Sequence, residues 1–391
     1  MGSGNIDQQL GPRNGANLLK GECSDFEGLF DHVYRVSFPA GQRKKHALSD
    51  HYLLIDFDVL AFKKLRSASM VVREARFLSW AALFLRSHGV RLIVAINPYL
   101  HGLNAYVLSQ LTGSPYGIMI TRDWDFDYES LGKLAFPTVF PSRRVEKFIE
   151  RFVLRHADLV VADREHYWRY ALKNGANPER TFHSRVVVDD AYYIEPCQRP
   201  NVRELLGLSG GKLLLTIGRL QPDKLPEDAL RCLALVRAQG LEARLAFAGD
   251  GEMQPQLAAL AEELGLRSYV HFLGPQPLHV LPALMSSADV IVGANMGYTL
   301  VEAALSGRPI VTYDYEWHAE VVHHGETGAL VPYRDLSAMA DWVGRLLRDD
   351  ELAKQLGHSA RVFALQHHER ASVMRDYRRI YGTVLDRSCP K

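Results

Sequence analysis

At 391 residues the chain exceeds what one hydrophobic core usually organises, which points to two domains. Hydrophobic residues make up 47% and charged residues 23%, the balance of an ordinary globular protein, so disorder as the main state is excluded. Lysine and arginine number 46 against 45 acidic residues, a formal net charge of +1, and this bulk charge gives no reason to expect nucleic-acid binding.

Residues 1–27 are polar and glycine-rich, lack the apolar stretch of a signal peptide, and read as a flexible leader. Short apolar runs at 32–38, 51–59, 90–97 and 116–121 then read as strands. The stretches 68–89 and 101–113 between them carry helical periodicity. A further strand is expected at 157–164 and a last short one at Val186–Asp189. Residues 191–203 contain Pro196 and Pro200, show no period, and read as a linker between a domain at 28–190 and one at 204–371. The second half gives six strand candidates, at 212–220, 243–251, 269–274, 289–295, 309–314 and 328–332. Ala229, Cys232, Leu233 and Val236 mark a helix in the first gap, and Leu257, Leu260, Ala261 and Leu264 one in the second, with Gly265 at its C-terminal cap. Near-continuous apolar strands separated by single helices imply parallel sheets covered on both faces. The predicted architecture is therefore α/β, two doubly wound Rossmann-like domains, with ligands expected in a central cleft beyond the carboxyl ends of the strands. Four well-separated cysteines (Cys23, Cys197, Cys232, Cys389) form no CxxC and read as free thiols of a reducing compartment. No apolar run approaches the ~20 residues of a membrane span.

Two loops carry chemistry. Gly218-Arg219-Leu220-Gln221-Pro222-Asp223-Lys224 follows the first C-terminal strand. Gly218 permits a tight turn, and Arg219 and Lys224, without an evident carboxylate partner, suit a diphosphate. The plainer alternative is a pair of solvated cations beside Asp223. Gly297-Tyr298-Thr299-Leu300-Val301-Glu302 follows the strand at 289–295 and opens a short helix whose first amides would face an anion. Glu302 either accepts hydrogen bonds from a ribose diol or closes a capping box with Thr299.

These blocks, with those at 202–208, 246–253, 270–275, 288–292, 320–332 and 335–357, resemble the retaining GT-B glycosyltransferases of glycosyltransferase family 4. The resemblance covers nearly all of 200–385 and implies a GT-B fold. It implies that Arg219 and Lys224 hold a donor diphosphate, that the Thr299 and Leu300 amides bind its distal phosphate, that Glu302 takes the ribose, and that Leu273 flanks the base. It further implies that a terminal helix at 372–385 crosses back to the first domain. Three departures stand out. Ala294 occupies a position where the family usually has glutamate. Thr121-Arg122-Asp123-Trp124 stands where a histidine is common, which makes Asp123 the polar residue of interest there. The usual first strand is not visible before 32–38.

Asp56-Phe57-Asp58 and Asp123-Trp124-Asp125 imitate the DxD of metal-dependent transferases, but the C-terminal blocks favour a metal-free site. Arg143, Lys147, Arg151 and Arg155 recur every four residues on one helix, with Val145, Phe148, Ile149, Phe152 and Val153 assigned to the core. The basic face is either solvated or docks to anionic lipid. The expectation is a cytoplasmic retaining transferase, with peripheral contact at the inner membrane face. It would move a sugar from a UDP- or GDP-type donor to a glycan or lipid-linked acceptor, without a cofactor. The alternatives are a non-catalytic GT-B-like subunit and a nucleotide-sugar epimerase.

Overall fold

The computed structural model describes residues 29–37, 44–57, 66–137, 139–188, 193, 203, 211–277 and 279–386. The leader lies outside these residues, as does the predicted linker apart from Tyr193 and Arg203. The chain forms two units. One runs to Arg185 and includes the segment from Val373 onward; the other is Val186–Ser372.

The N-terminal unit begins with β1 (Val33–Ser37), β2 (Lys44–Ala47) and β3 (Tyr52–Asp56), in the order β1-β3-β2. β1 runs parallel to β3 and β2 antiparallel to it. Sequence reasoning missed β2 because Lys-Lys-His-Ala has no apolar alternation; all four residues are exposed on a lysine-rich edge strand. Then come α1 (Arg66–Ser87), β4 (Ile93–Ala95), α2 (Leu100–Thr112), β5 (Tyr116–Ile120), α3 (Trp124–Leu131), α4 (Arg143–His156), β6 (Leu159–Ala162), α5 (Glu165–Lys173) and β7 (Thr181–His183). β4-β5-β6-β7 form a separate, wholly parallel sheet. Its strands bury Ile118, Ile120, Val160 and Ala162 against Phe77, Leu108, Val153 and Tyr170 of the helices.

The strand expected at Val186–Asp189 is instead β7, five residues earlier. Val186 and Val188 are buried, but in the core of the C-terminal unit, so their apolar character reflects packing rather than strand pairing.

The C-terminal unit holds β8 (Lys212–Ile217), α6 (Pro226–Ala238), β9 (Ala243–Ala248), α7 (Gln254–Glu263), β10 (Val270–Gly274), α8 (Leu281–Ser287), β11 (Val290–Gly293), α9 (Thr299–Leu305), β12 (Ile310–Tyr313), β13 (Ala329–Val331), α10 (Leu336–Arg348) and α11 (Asp350–His368). All six strands fall within their predicted runs and pair in parallel, in the order β10-β9-β8-β11-β12-β13. That is the Rossmann order, with its switch point between β8 and β11. Alternation along β8 explains the layering. Leu213, Leu215 and Ile217 join α8, α9 and α11 on one face, while Leu214 joins α6, α7 and α10 on the other. Each such buried leucine stabilises the sheet by about 1.5–3 kcal/mol. The last helix, α12 (Arg370–Leu385), belongs to the N-terminal unit from Val373. There Tyr381 packs edge-on to Phe30 at 5.7 Å, and Arg91 Nη2 donates to the Leu385 carbonyl at 2.8 Å.

Candidate functional site

At the carboxyl end of β8 the backbone turns through Gly218, whose φ of +142° favours glycine. Gly249, after β9, has φ of +153°, and a Cβ there would lie 1.9 Å from the Gly218 carbonyl oxygen. The two loops thus lie backbone to backbone. Gly218 N–H donates to Ala248 O at 3.1 Å and Leu220 N–H to Asp250 O at 2.8 Å. This fixes the Pro222–Lys224 turn, which carries Lys224, at the head of α6. The expectation that Arg219 and Lys224 lack a carboxylate partner is corrected here. Asp223 Oδ2 lies 3.3 Å from Arg219 Nη2 and 3.9 Å from Lys224 Nζ. The loop still carries one excess positive charge, and Arg219, 67% exposed, is free to swing toward an anion.

The loop after β11 meets this turn through a residue that sequence reasoning passed over. Asn295 Nδ2 donates to Asp223 O at 2.8 Å, and its Oδ1 lies 3.5 Å from Lys224 Nζ. A polar side chain next to Ala294 at a strand end was the available signal. Ala294 itself is 4% exposed and packs in the core.

α9 has Tyr298 as its N-cap residue, with no side-chain cap bond. Thr299 is therefore the first helical residue and Glu302 the fourth, one position beyond the capping-box spacing, so that structural reading of Glu302 lapses. Glu302 is half-buried and Tyr298 exposed. Leu300 N–H donates to the Gly297 carbonyl at 3.0 Å, and its side chain is buried. The Leu300 amide is thus already engaged, and Thr299 offers the better placed one. A Cβ on Gly297 would meet open space, so that glycine is not required sterically. The Leu273 carbonyl accepts from Gln276 Nε2 at 2.7 Å, and its side chain packs on the core.

In the N-terminal unit, Asp123 follows β5 and its Oδ1 accepts from the Asp125 and Phe126 amides at 2.9 and 3.0 Å, capping α3. Its Oδ2 lies 3.1 Å from His166 Nε2, which follows the neighbouring strand β6. His166 was missed because only the parallel β5–β6 pairing brings it to Asp123.

Behind this pair is a buried polar network. Asp125 accepts from Arg143, from Lys147 Nζ at 2.5 Å and from Asn174 Nδ2 at 3.0 Å. Glu146 and Glu150 are fully buried. Glu146 accepts from the Phe136 amide at 2.8 Å, and Glu150 accepts from Tyr99 at 3.2 Å and from Tyr170. Burial pushes the Glu150 carboxyl above its usual range, with Lys147, Tyr170 and Arg143 opposing. For Asp125 burial pushes up too, but Lys147, Asn174 and Arg143 more than offset it and the net shift is downward.

This network corrects the reading of α4. Arg143 and Lys147 do not form an outward basic face with Arg151 and Arg155; they point inward to carboxylates. The exposed side instead carries Arg144, Val145, Phe148, Arg151 and Arg155, so Val145 and Phe148 are not core residues. The carboxylates of Asp123 and Asp125 are likewise committed to protein partners, and Asp58 lies outside the described residues. Among the described residues no helix is long and apolar enough to cross a membrane. Cys232 is a buried free thiol, pushed up to about 12 by burial and by Asp228, while Cys23, Cys197 and Cys389 lie outside the described residues.

Residues 198–363 match the family model for glycosyl transferases group 1. The chain is 26% identical over 268 residues to an alpha-D-kanosaminyltransferase of Streptomyces kanamyceticus, covering 65% of this chain and 67% of that protein. It spans about half the length or less of the next curated relatives it matches. Among solved structures it is similar to sucrose-phosphate synthase from Thermosynechococcus elongatus, with a TM-score of 0.74, 18% identity and 94% of each chain covered. HepE from Anabaena in complex with UDP gives a TM-score of 0.69 at 20% identity, over 79% of this chain and 82% of that one. Two Rossmann-like α/β units with these likenesses make the fold GT-B, and residues 198–363 are similar to the glycosyl transferases group 1 domain.

Proposed function

We propose that the protein is a retaining, metal-independent glycosyltransferase. It moves a sugar from a UDP- or GDP-sugar to a hydroxyl of a glycan or lipid-linked acceptor. The observation that carries this reading is the placement of Arg219 and Lys224 at the end of β8, on the switch point of a Rossmann sheet and beside the loop after β11. Sugar transfer in the names of the curated relatives, and the UDP bound to HepE, support it. As the bond between the anomeric carbon and the phosphate oxygen breaks, negative charge grows on the departing diphosphate. Arg219, Lys224 and the Thr299 amide oppose that charge without a metal. The acceptor oxygen attacks the same face of the anomeric carbon and its proton passes to the departing phosphate oxygen. Glu302 holds the ribose and the Leu273 segment flanks the base. The N-terminal unit takes the acceptor, at its strand ends near Asp123.

The test is incubation with UDP-glucose, UDP-N-acetylglucosamine and GDP-mannose, with and without EDTA. Slow release of UDP or GDP from at least one donor is expected, unchanged by the chelator. Loss of release in EDTA, restored by added metal, would overturn metal independence. A second reading, a nucleotide-binding subunit without transfer activity, is favoured by Ala294, whose methyl packs in the core where relatives in the resembling family carry glutamate. Nucleotide binding with no turnover of any donor would select it. Conversion of the sugar with the nucleotide still attached would indicate an epimerase.

A further inference from the structure

We infer that His318 holds the loop after β11 where Asn295 meets Lys224, and so acts as a positioning residue for nucleoside diphosphate binding. The inference rests on the transferase reading above and names the residue that keeps its diphosphate site in shape.

The geometry begins with a buried stretch of backbone. Met296 lies between β11 and α9, in neither element, and is buried. Buried backbone groups cost free energy unless they are paired. The Met296 N–H and the Met296 carbonyl oxygen each lie 3.1 Å from one atom, His318 Nε2. Among the described residues no other group bonds to either of them. The two belong to the peptides on either side of Met296. A ring with bare Nε2 accepts from the amide, and one with a proton there donates to the carbonyl, so each protonation form engages this residue.

The far side of the ring is tied to β12. Nδ1 lies 2.9 Å from Thr312 Oγ1 and 2.9 Å from the Tyr313 carbonyl oxygen. Thr312 Oγ1 in turn donates to the carbonyl of Gly293, the last residue of β11, at 2.6 Å. One fully buried imidazole thus spans from the end of β12 to the loop after β11. The Met296 side chain seats against Gly293, where a Cβ would lie 2.6 Å from its Cγ. The next residue back is Asn295, which donates to Asp223 O at 2.8 Å and lies 3.5 Å from Lys224 Nζ. The peptide joining Asn295 to Met296 carries the N–H that faces His318. A loop turned about that peptide would carry the Asn295 amide away from Lys224, and a misplacement of about 1 Å can cost a site about 100-fold.

Glutamine and asparagine separate the two ends of the ring. A glutamine amide reaches the place of Nε2, an asparagine amide only that of Nδ1. The test titrates UDP and GDP into wild type, His318→Gln, His318→Asn, Asn295→Ala and the double variant His318→Asn/Asn295→Ala, and measures each melting temperature. Both single His318 variants should melt below wild type, since each loses one end of the bridge. Affinity should divide them: within about twofold of wild type for His318→Gln and about tenfold weaker for His318→Asn, the scale of one hydrogen bond whose buried partner is left unpaired. Asn295→Ala should weaken binding as well, and the double variant should bind no more weakly than the weaker single one, because His318 acts through Asn295. Equal losses in His318→Gln and His318→Asn, no loss in either, or additive losses in the double variant would overturn the inference. If His318→Asn does not fold, Gly293→Ala takes its place, since its methyl would displace Met296. Weaker nucleotide binding then supports the inference, and unchanged affinity overturns it. In a wild type that binds UDP or GDP but turns over no donor, the same affinities decide the inference while the transferase reading fails. A wild type that binds neither nucleotide overturns both.

Discussion

Lys224 Nζ lies 3.5 Å from Asn295 Oδ1, and Asn295 Nδ2 donates to the Asp223 carbonyl at 2.8 Å, so one amide side chain joins the loops after β8 and β11. These are the two loops that flank the switch point of the sheet. A ligand bound there meets a preset pair of loops, and the ammonium is held rather than left to wander.

Lys224→Ala should cut donor turnover by about 100-fold, the scale for losing one contact to charge that develops in the transition state. Its melting temperature should stay close to wild type, because the removed group is a partly exposed cation and not a core side chain. Near-normal turnover in a folded variant would remove Lys224 from the diphosphate site.

Glu302→Gln separates binding from stability. Glu302 lies one residue past the capping-box position, so the substitution removes no cap and should leave the melting temperature unchanged. A carboxylate gripping a ribose diol contributes roughly 1.5–3 kcal/mol, so nucleoside diphosphate affinity should fall about tenfold or more. Calorimetric titration of UDP and GDP into both proteins measures it, and equal affinities would sink the ribose assignment.

Gly249→Ala should disorganise the same site from a distance. The new methyl would overlap the Gly218 carbonyl, and the backbone sits at a φ that L-residues avoid. Such substitutions destabilise by more than the ~0.4–1 kcal/mol that a compatible glycine replacement gains. Loss of both stability and nucleotide affinity is expected from denaturation and titration; unchanged affinity would mean that the contact between the loops does not set the site.

The C-terminal unit was the more legible half. Its strands are buried on both faces, so each reads as a plain apolar run, and the helices between them keep a clear period. The N-terminal unit was read less well, for physical reasons. β2 has no hydrophobic pattern, and Val186–Val188 mimics a strand while packing as a loop. α4 misled because its inward face carries Glu146 and Glu150 as well as Val153 and Leu154, so charge did not mark the solvent side. Arg219 and Lys224 are legible in the sequence as cations on the loop after β8, whereas the link that Asn295 makes to that loop depends on the pairing of β8 with β11.

Asp125→Asn should lower stability in a pH-dependent way. The folded carboxyl is held below its ordinary 3.8, so its contribution is present above that value and is lost as pH falls through the folded one. At pH 7 the variant should be weaker by about 1.5–3 kcal/mol, the scale of hydrogen bonds to charged groups. The gap should close in acid. Glu150 runs the other way, its raised carboxyl favouring the fold below pH 4.5 and losing that contribution as pH climbs through the folded value. Comparing variant with wild type isolates Asp125, and a gap constant between pH 7 and pH 3 in urea denaturation would rule this account out.

The placement of α12 sets an order of events during synthesis. The C-terminal unit is one continuous stretch, Val186–Ser372, whereas the N-terminal unit needs the segment from Val373 that buries Tyr377, Ile380 and Tyr381. A ribosome therefore delivers all of the later unit before it delivers the last piece of the earlier one. Until α12 emerges, the first-made unit waits with part of its apolar surface uncovered, reversing the usual rule that the N-terminal domain finishes first. The window lasts as long as Val186–Ser372 takes to be made, roughly 10–40 seconds at ~5–20 residues per second. During it, an exposed first unit is the species that a chaperone would meet.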